Sequence, residues 1–356
     1  LDVRPLPDWE TLPYDVLSPQ EELVSERLEA LYRLTAPTGG ADVLLTSAVT
    51  ASQRLSPVSY IGANTFFFHQ GEQISLTTLQ KRLAAAGYAN VKQVLAAGEF
   101  AVRGSIVDVF PMGSERPFRL DFFDDEIESI RWFDVDTQRS MESAEEIRLL
   151  PGHEFPVDPE ALLAFRQRWR REFAGDPKKS IVYCDIEKEI LPPGIEYYLP
   201  LFFDETAALT DYLPPNARVF LLGDIEVALQ AFGRDMASRY KVLAADPQRP
   251  ALAPERIWLK PEEFFKSLAN FARFTVEKKE NAEDLKRLTG IEVDRKSQNP
   301  VGKLLERTRE SAMKGVRTLI AAPSAGRMET MSQLLRTGGL SVEEFPDWQT
   351  FLDADS

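Results

Sequence analysis

The sequence predicts an α/β protein interrupted by an antiparallel α+β insert, and three observations carry that prediction. Short continuous apolar runs, Val43-Leu44-Leu45, Ile181-Val182-Tyr183 and Val219-Phe220-Leu221-Leu222, are of the kind that parallel sheets bury on both faces. Stretches of helical period lie between them, such as Leu23, Leu28, Leu31 and Leu34 on one face with Glu21, Glu22, Glu26 and Glu29 on another. From Glu99 to Phe133 the texture changes to aromatic-rich β-formers broken by turn residues.

Taken in order, Pro5, Pro7 and Pro13 keep residues 5–15 out of helix, because each fixes φ and lacks an amide donor. Ser18-Pro19 supplies an N-cap and a first-turn proline for a helix over 20–34, and Thr38-Gly39-Gly40 stops it. Residues 75–86 read as a helix and 88–95 as a short element. Strands follow at Phe100–Phe110, Phe118–Phe123 and Ile127–Phe133, separated by Pro111-Met112-Gly113-Ser114 and by Asp124-Asp125-Glu126. The insert ends near Pro151. A helix over 159–174 carries Arg166, Arg168, Arg170 and Arg171, and residues 277–314 read as a charged, partly helical linker. Thr318-Leu319-Ile320-Ala321-Ala322 with a helix over 325–336 reads as the opening βα unit of a further domain. The chain stops before that unit closes a core, so the expectation is a fragment cut at its C-terminus.

Composition narrows the function. The 356 residues include 42 Lys and Arg against 56 Asp and Glu, a formal charge of −14. Phosphate affinity comes from clustered Lys and Arg, so an acidic chain is a poor stand-alone DNA clamp. No run of about 18 apolar residues marks a membrane span, and Leu1-Asp2-Val3-Arg4-Pro5 has no signal-peptide pattern. A single cysteine, Cys184, rules out a disulfide framework or a thiolate cluster, and only His69 and His153 are available to a histidine metal site. These bounds predict a cytoplasmic, multidomain protein that works through partners.

Searches for autonomous chemistry find little. The only Gly-Lys pair, Gly302-Lys303, is followed by Leu304, has Ser297 where a P-loop needs its first glycine, and follows no strand. Gly223-Asp224-Ile225-Glu226 spaces two acids by one residue, and nothing near them cradles a phosphate; a solvated loop after a core strand is the simpler reading. Cys184 reads as a small buried hydrophobe, and His153 as part of a structured interdomain connection. The insert is more informative. The two-residue strand period places Arg119, Asp121 and Phe123 on one face, with Leu120 and Phe122, continued by Ile130 and Trp132, on the core face. Arg103 lies on a neighbouring strand. Arginine beside an exposed aromatic is the pairing enriched at interface hot spots. Periodicity alone balances this evenly against Phe123 packing under the 75–86 helix while the arginines pair with Asp121, Asp124 or Asp125.

The order of motifs resembles that shared by UvrB and the N-terminal UvrB-like module of bacterial transcription-repair coupling factors (Mfd). The resemblance rests on Pro7-Asp8-Trp9-Glu10-Thr11-Leu12-Pro13-Tyr14-Asp15, Arg103-Gly104 through Phe110-Pro111-Met112-Gly113-Ser114-Glu115, and Arg119-Leu120-Asp121-Phe122-Phe123-Asp124-Asp125-Glu126. Gly194-Ile195-Glu196-Tyr197, Asp211-Tyr212-Leu213-Pro214 and Pro261-Glu262-Glu263-Phe264 follow in sequence, covering residues 5–275. Two departures favour the coupling factors over UvrB. Gly223, Asp224 and Glu226 stand where UvrB has its Asp-Glu-x-His box, which makes them a degenerate ATPase box. Only Val16-Leu17-Ser18-Pro19 stands where UvrB inserts its DNA-clamping hairpin.

The resemblance implies a degenerate RecA/helicase-like α/β domain. Residues 1–65 would be subdomain 1a, 66–150 an inserted α+β domain 2, and 151–276 subdomain 1b. A 277–314 linker and the start of a further α/β domain over 315–356 would complete the chain. It implies no catalytic residue, metal or cofactor for this stretch, with ATP and Mg used by motor domains elsewhere in the full-length family protein. Family positions for UvrA binding match Arg103, Arg119 and Phe123, with Asp121 and Arg131 as additional candidates. RNA polymerase and double-stranded DNA are the full-length protein's other implied partners, and its C-terminal domain masks the UvrA surface. Two alternatives remain. One is an active UvrB-type ATPase using Asp224 or Glu226, and the other is auxiliary DNA binding by the arginines of 166–171.

Overall fold

The computed structural model describes residues 2–35, 41–276, 291, 301–321, 325–345 and 348–354. It forms two units, Leu1–Glu277 and Lys278–Ser356. The first opens with β1 (Val3–Leu6), α1 (Glu21–Thr35), β2 (Val43–Thr46), α2 (Ala48–Ser52) and α3 (Val58–Ala63). β1 and β2 run parallel, Val3 opposite Val43 and Leu6 opposite Thr46. The expectation of burial on both faces fails: Leu44 packs on the core, while Val43 and Leu45 are exposed. α1 covers one side of this two-stranded ladder only.

α1 buries Leu28 and Leu31, but two charged residues go in with them, Arg27 and Glu29. Glu29 was expected on the solvent face. It turns inward because it holds Arg33 at 2.7 Å and also pairs with Arg148. Arg27 is wholly enclosed. Its Nε donates to Glu154 Oε1 at 2.5 Å and its Nη2 to Glu154 Oε2 at 3.1 Å and Gln53 Oε1 at 3.0 Å. Nη1 donates to the Pro7 carbonyl at 2.7 Å, and Trp9 Nε1 donates to Glu154 Oε1 at 3.2 Å. Four chain segments are knotted at one charge pair.

The insert comprises β3 (Phe66–His69), α4 (Leu76–Ala85), β4 (Ala89–Asn90), β5 (Glu99–Arg103), β6 (Ile106–Val109), β7 (Phe118–Phe123), β8 (Glu126–Phe133), β9 (Ser140–Ala144) and β10 (Glu146–Leu149). β4 to β9 make one six-stranded sheet in sequence order, antiparallel except for the β4–β5 pair. The stretch expected as one strand, Phe100–Phe110, is a hairpin. It turns at Gly104, whose φ of +64° is readily reached only by glycine. β9 was not anticipated, since Ser140–Ala144 has no apolar alternation. One sheet face, with Phe100, Val107, Phe118, Leu120, Phe122, Ile127 and Ile130, packs with Leu79 and Leu83 of α4 in the main core.

β3 and β10 pair antiparallel and close the insert where it leaves and rejoins the chain. Beyond β10 the backbones touch: Gly152 N donates to Ala86 O at 2.7 Å, and a Cβ on Gly152 would sit 2.6 Å from the Gly87 carbonyl. His153 follows, its ring against Gly87 and stacked on Phe155 at 5.4 Å, its carbonyl accepting from Tyr60 Oη. Burial holds its pKa down to about 4. The unfolded chain protonates near pH 6.5 and the folded one only near 4, so this group costs stability as pH falls through that window. Relative to His153→Gln, the wild type is expected to lose about 1–3 kcal/mol between pH 7.5 and 4. Urea melts at the two pH values measure this.

The rest of this unit comprises α5 (Pro159–Glu172), α6 (Ile181–Glu187), α7 (Leu209–Tyr212), β11 (Arg218–Leu222), α8 (Ile225–Leu243), α9 (Pro254–Ile257), α10 (Pro261–Ser267) and β12 (Ala272–Val276). A second core draws on α5, α6, α8 and α9, while Leu209 and Tyr212 of α7 join the first. Asp158 caps α5 by accepting from the Glu160 and Ala161 amides, and Leu162, Phe165 and Trp169 form its buried stripe. Ile181-Val182-Tyr183, expected as a strand, opens α6 instead. A three-residue apolar run does not distinguish the two, and Ser180 accepting from the Tyr183 amide settles it as a helix start. Cys184 is accordingly half-exposed on α6, donating to the Lys178 carbonyl, and not a buried hydrophobe. β11 and β12 pair in parallel. Val219 and Leu221 pack with Leu229, Phe264 and Leu268, whereas Phe220 and Leu222 are exposed, again correcting burial on both faces.

The second unit contains α11 (Gly302–Met313), α12 (Ala325–Thr337) and α13 (Trp348–Asp353), with Val301, Leu305 and Leu335 as its buried apolar centre. Thr318–Ala321 forms no strand, and Ala322 lies outside the described residues, as do 277–290 and 292–300 of the expected linker. Among the described residues no helix is long and apolar enough to cross a membrane.

Candidate partner-binding surface

Residues opposite one another in a sheet share a face, so the ladder register defines the surface. Ala101, Asp108, Arg119, Arg131 and Ser143 form one row across β5 to β9; Arg103, Ile106, Asp121 and Ser129 form the next. A register shift between Asp121 and Phe122 lets both Ile127 and Ile130 of β8 face the core. At one end of this second face Val94 folds over Ala101 and Phe133 and seals them. The other end stays open. Phe123 stands there, 69% exposed, at the tip of the β7–β8 hairpin, where Asp124 adopts φ +52°. The alternation expected from sequence holds, and Phe123 does not pack under α4.

The arginines are arranged differently from the expectation. Arg119 does not stand beside Phe123 pointing into water: its side chain is 13% exposed. Nε donates to Asp108 Oδ1 at 2.6 Å, Nη2 to Asp108 Oδ2 at 3.0 Å, and Nη1 to Gln138 O at 3.1 Å and Ser140 Oγ at 3.2 Å. Its guanidinium lies 4.9 Å from the Phe133 ring centroid, close enough for a cation–π contact. Hydrogen bonding to Asp108 holds the Arg119 pKa above its ordinary value. Arg103 also binds Asp108 through Nη2, yet 47% of its side chain is exposed. Asp121 accepts from Ser129 Oγ at 2.9 Å, and Arg131 is exposed on the same row as Arg119.

Asp108, fully buried, is the residue that sequence reasoning missed. The arginines were offered Asp121, Asp124 and Asp125 as partners and use Asp108 instead. The signal was present in Ile106-Val107-Asp108-Val109, an acid within an apolar strand, which needs a cation because a lone buried carboxylate is too costly. Two guanidinium groups against one carboxylate leave this triad net positive.

Gly223, Asp224 and Glu226, expected from the resemblance to be a degenerate ATPase box, have local structural roles. β11 ends at Leu222, so Asp224 and Glu226 do not share a strand face. Gly223 turns at φ +81°, Asp224 caps α8 by accepting from the Val227 amide at 3.1 Å, and Glu226 accepts from Gln230 Nε2 at 3.0 Å. Asp224→Ala is expected to cost about 1 kcal/mol of stability as a lost cap, read by urea denaturation. Lys303 lies in the first turn of α11. The 166–171 arginines are largely engaged: Arg168 binds Asp204 at 2.6 Å, Arg166 lies 3.7 Å from Glu187, and Arg170 lies over Tyr183. Among the described residues no group of three or more His, Cys, Asp or Glu side chains is placed to hold a metal ion.

Residues 66–155 match the UvrB interaction domain family, which makes the insert and its open sheet face part of such a domain. Residues 312–356 match the MFD D3 domain. The chain is 44% identical over 272 residues to the transcription-repair-coupling factor of Escherichia coli K12, covering 76% of this chain and 24% of that protein. The factor from Haemophilus influenzae is 40% identical over 344 residues, 94% of this chain and 29% of the relative, and that from Bacillus subtilis is 32% identical over 216 residues, 56% of this chain and 18% of the relative. The resemblance to transcription-repair-coupling factors is thereby established. The chain spans about a quarter of the length of the first two relatives.

Proposed function

We propose that this chain is a UvrA-docking module of a transcription-repair-coupling factor and that it recruits UvrA through the open face of the insert sheet. The observation that carries this reading is the placement of Phe123 and Arg103, an exposed aromatic and a half-exposed guanidinium at the open end of one sheet face, within a UvrB interaction domain. Arg119, Asp121 and Arg131 complete the face. The surrounding 1–65 and 151–276 segments serve as a degenerate RecA-like scaffold around domain 2 at 66–150, with a 277–314 linker and further-domain residues at 315–356. The capped, paired state of Asp224 and Glu226 supports a stretch without ATPase chemistry or cofactor of its own. RNA polymerase and double-stranded DNA would be partners of a full-length cytoplasmic factor, whose C-terminal domain masks this face.

Two titrations of the purified 356-residue chain test the reading. UvrA is expected to bind saturably, and a fluorescent ATP analogue with Mg²⁺ is expected not to bind. Absence of UvrA binding contradicts the docking module; tight, Mg²⁺-dependent nucleotide binding restores the UvrB-type ATPase.

A further inference from the structure

The interface face contains two arginines on one buried carboxylate, and their remaining donors differ. All three nitrogens of Arg119 are committed, two to Asp108 and one to Gln138 O and Ser140 Oγ. Arg103 binds only through Nη2, and among the described residues its Nε and Nη1 have no hydrogen-bond partner. Arg103 is the last residue of β5, beside the Gly104 turn, and Phe123 is the last residue of β7. A long side chain at such a strand end loses rotamer freedom when a partner docks. Asp108 is itself fixed by the two-nitrogen grip of Arg119 and holds Arg103 in place beforehand.

We infer that Asp108 is a positioning residue of this face, and that Arg103, with Arg119 acting behind it, takes a carboxylate of the docking protein while Phe123 fills an apolar seat beside it. The inference rests on the reading of this face as the UvrA contact. Nη2 gives one N–H to Asp108, and its second N–H with the neighbouring Nε–H or Nη1–H still forms a planar donor pair suited to a carboxylate.

A double-mutant cycle on the full chain tests it, with UvrA affinity read by calorimetry and folding checked by near-ultraviolet circular dichroism. Arg103→Ala is expected to weaken binding roughly 10-fold or more, in the range of interface hot spots. Asp108→Asn keeps the shape but loses one accepting oxygen. It is expected to weaken binding about 5-fold in the wild type and less than about 2-fold beside Arg103→Ala, because coupled residues are non-additive. Equal losses in both backgrounds, or none in either, overturn the positioning role. If Asp108→Asn does not fold, Arg103→Lys decides. One ammonium does not hold Asp108 and also present a planar fork, so binding is expected to fall at least about 5-fold, and unchanged binding overturns the inference. A wild-type chain that does not bind UvrA at all overturns the underlying reading as well, a result distinct from these.

Discussion

Glu154→Ala is expected to destabilise the first unit by about 3–5 kcal/mol, the cost of leaving a buried charge without its partner. Arg27 is entirely enclosed and Glu154 nearly so, and the carboxylate also accepts from Trp9 Nε1. Alanine therefore orphans a guanidinium and an indole N–H together. The Pro7 carbonyl and Gln53 Oε1 remain, but neither carries charge. Urea denaturation followed by tryptophan fluorescence reads the loss, with Trp9 reporting from beside the pair. The double variant Arg27→Met/Glu154→Leu is expected to recover most of it, because matched apolar residues remove the desolvation cost of both charges. A loss below about 1 kcal/mol from Glu154→Ala would show that the knot does not hold these segments together.

The second large effect is on binding. Phe123→Ala is expected to weaken UvrA affinity by about 1–3 kcal/mol, roughly 5- to 150-fold, with an unchanged melting temperature. The ring is 69% exposed and supports no core, so its removal costs the fold nothing. Arg119→Ala behaves differently. Periodicity implied a purely external side chain, removable without effect on the fold. The structure has Arg119 bracing Asp108 and resting on Phe133, so its loss is expected to lower stability as well as binding. Calorimetry on UvrA, paired with thermal melts of the same variants, separates the two cases.

Much of the site was legible because strand alternation is a hard geometric rule. Phe118, Leu120 and Phe122 went inward and Phe123 outward as the two-residue period requires. Long-range pairing was not legible: which acid meets Arg103 and Arg119 depends on the register of β6 against β7, and no local pattern encodes it. The apolar runs misled for a related reason. Val43-Leu44-Leu45 and Val219-Phe220-Leu221-Leu222 did form parallel strands, but how many sides are covered depends on neighbours far away in sequence. Ile181-Val182-Tyr183 was too short to declare its period, and the decisive Ser180 cap lay just outside the run. Likewise Glu29 sits on the acidic stripe of α1, and it is buried because Arg148, over a hundred residues later, reaches it.

The direct measurement is UvrA binding to the 356-residue chain against the Arg103→Ala/Arg119→Ala/Phe123→Ala variant, each confirmed folded by circular dichroism. Saturable wild-type binding that falls by at least about 100-fold in the variant, the range of combined hot-spot truncations, is the expected result. Equal affinity for both chains would contradict docking through this sheet face.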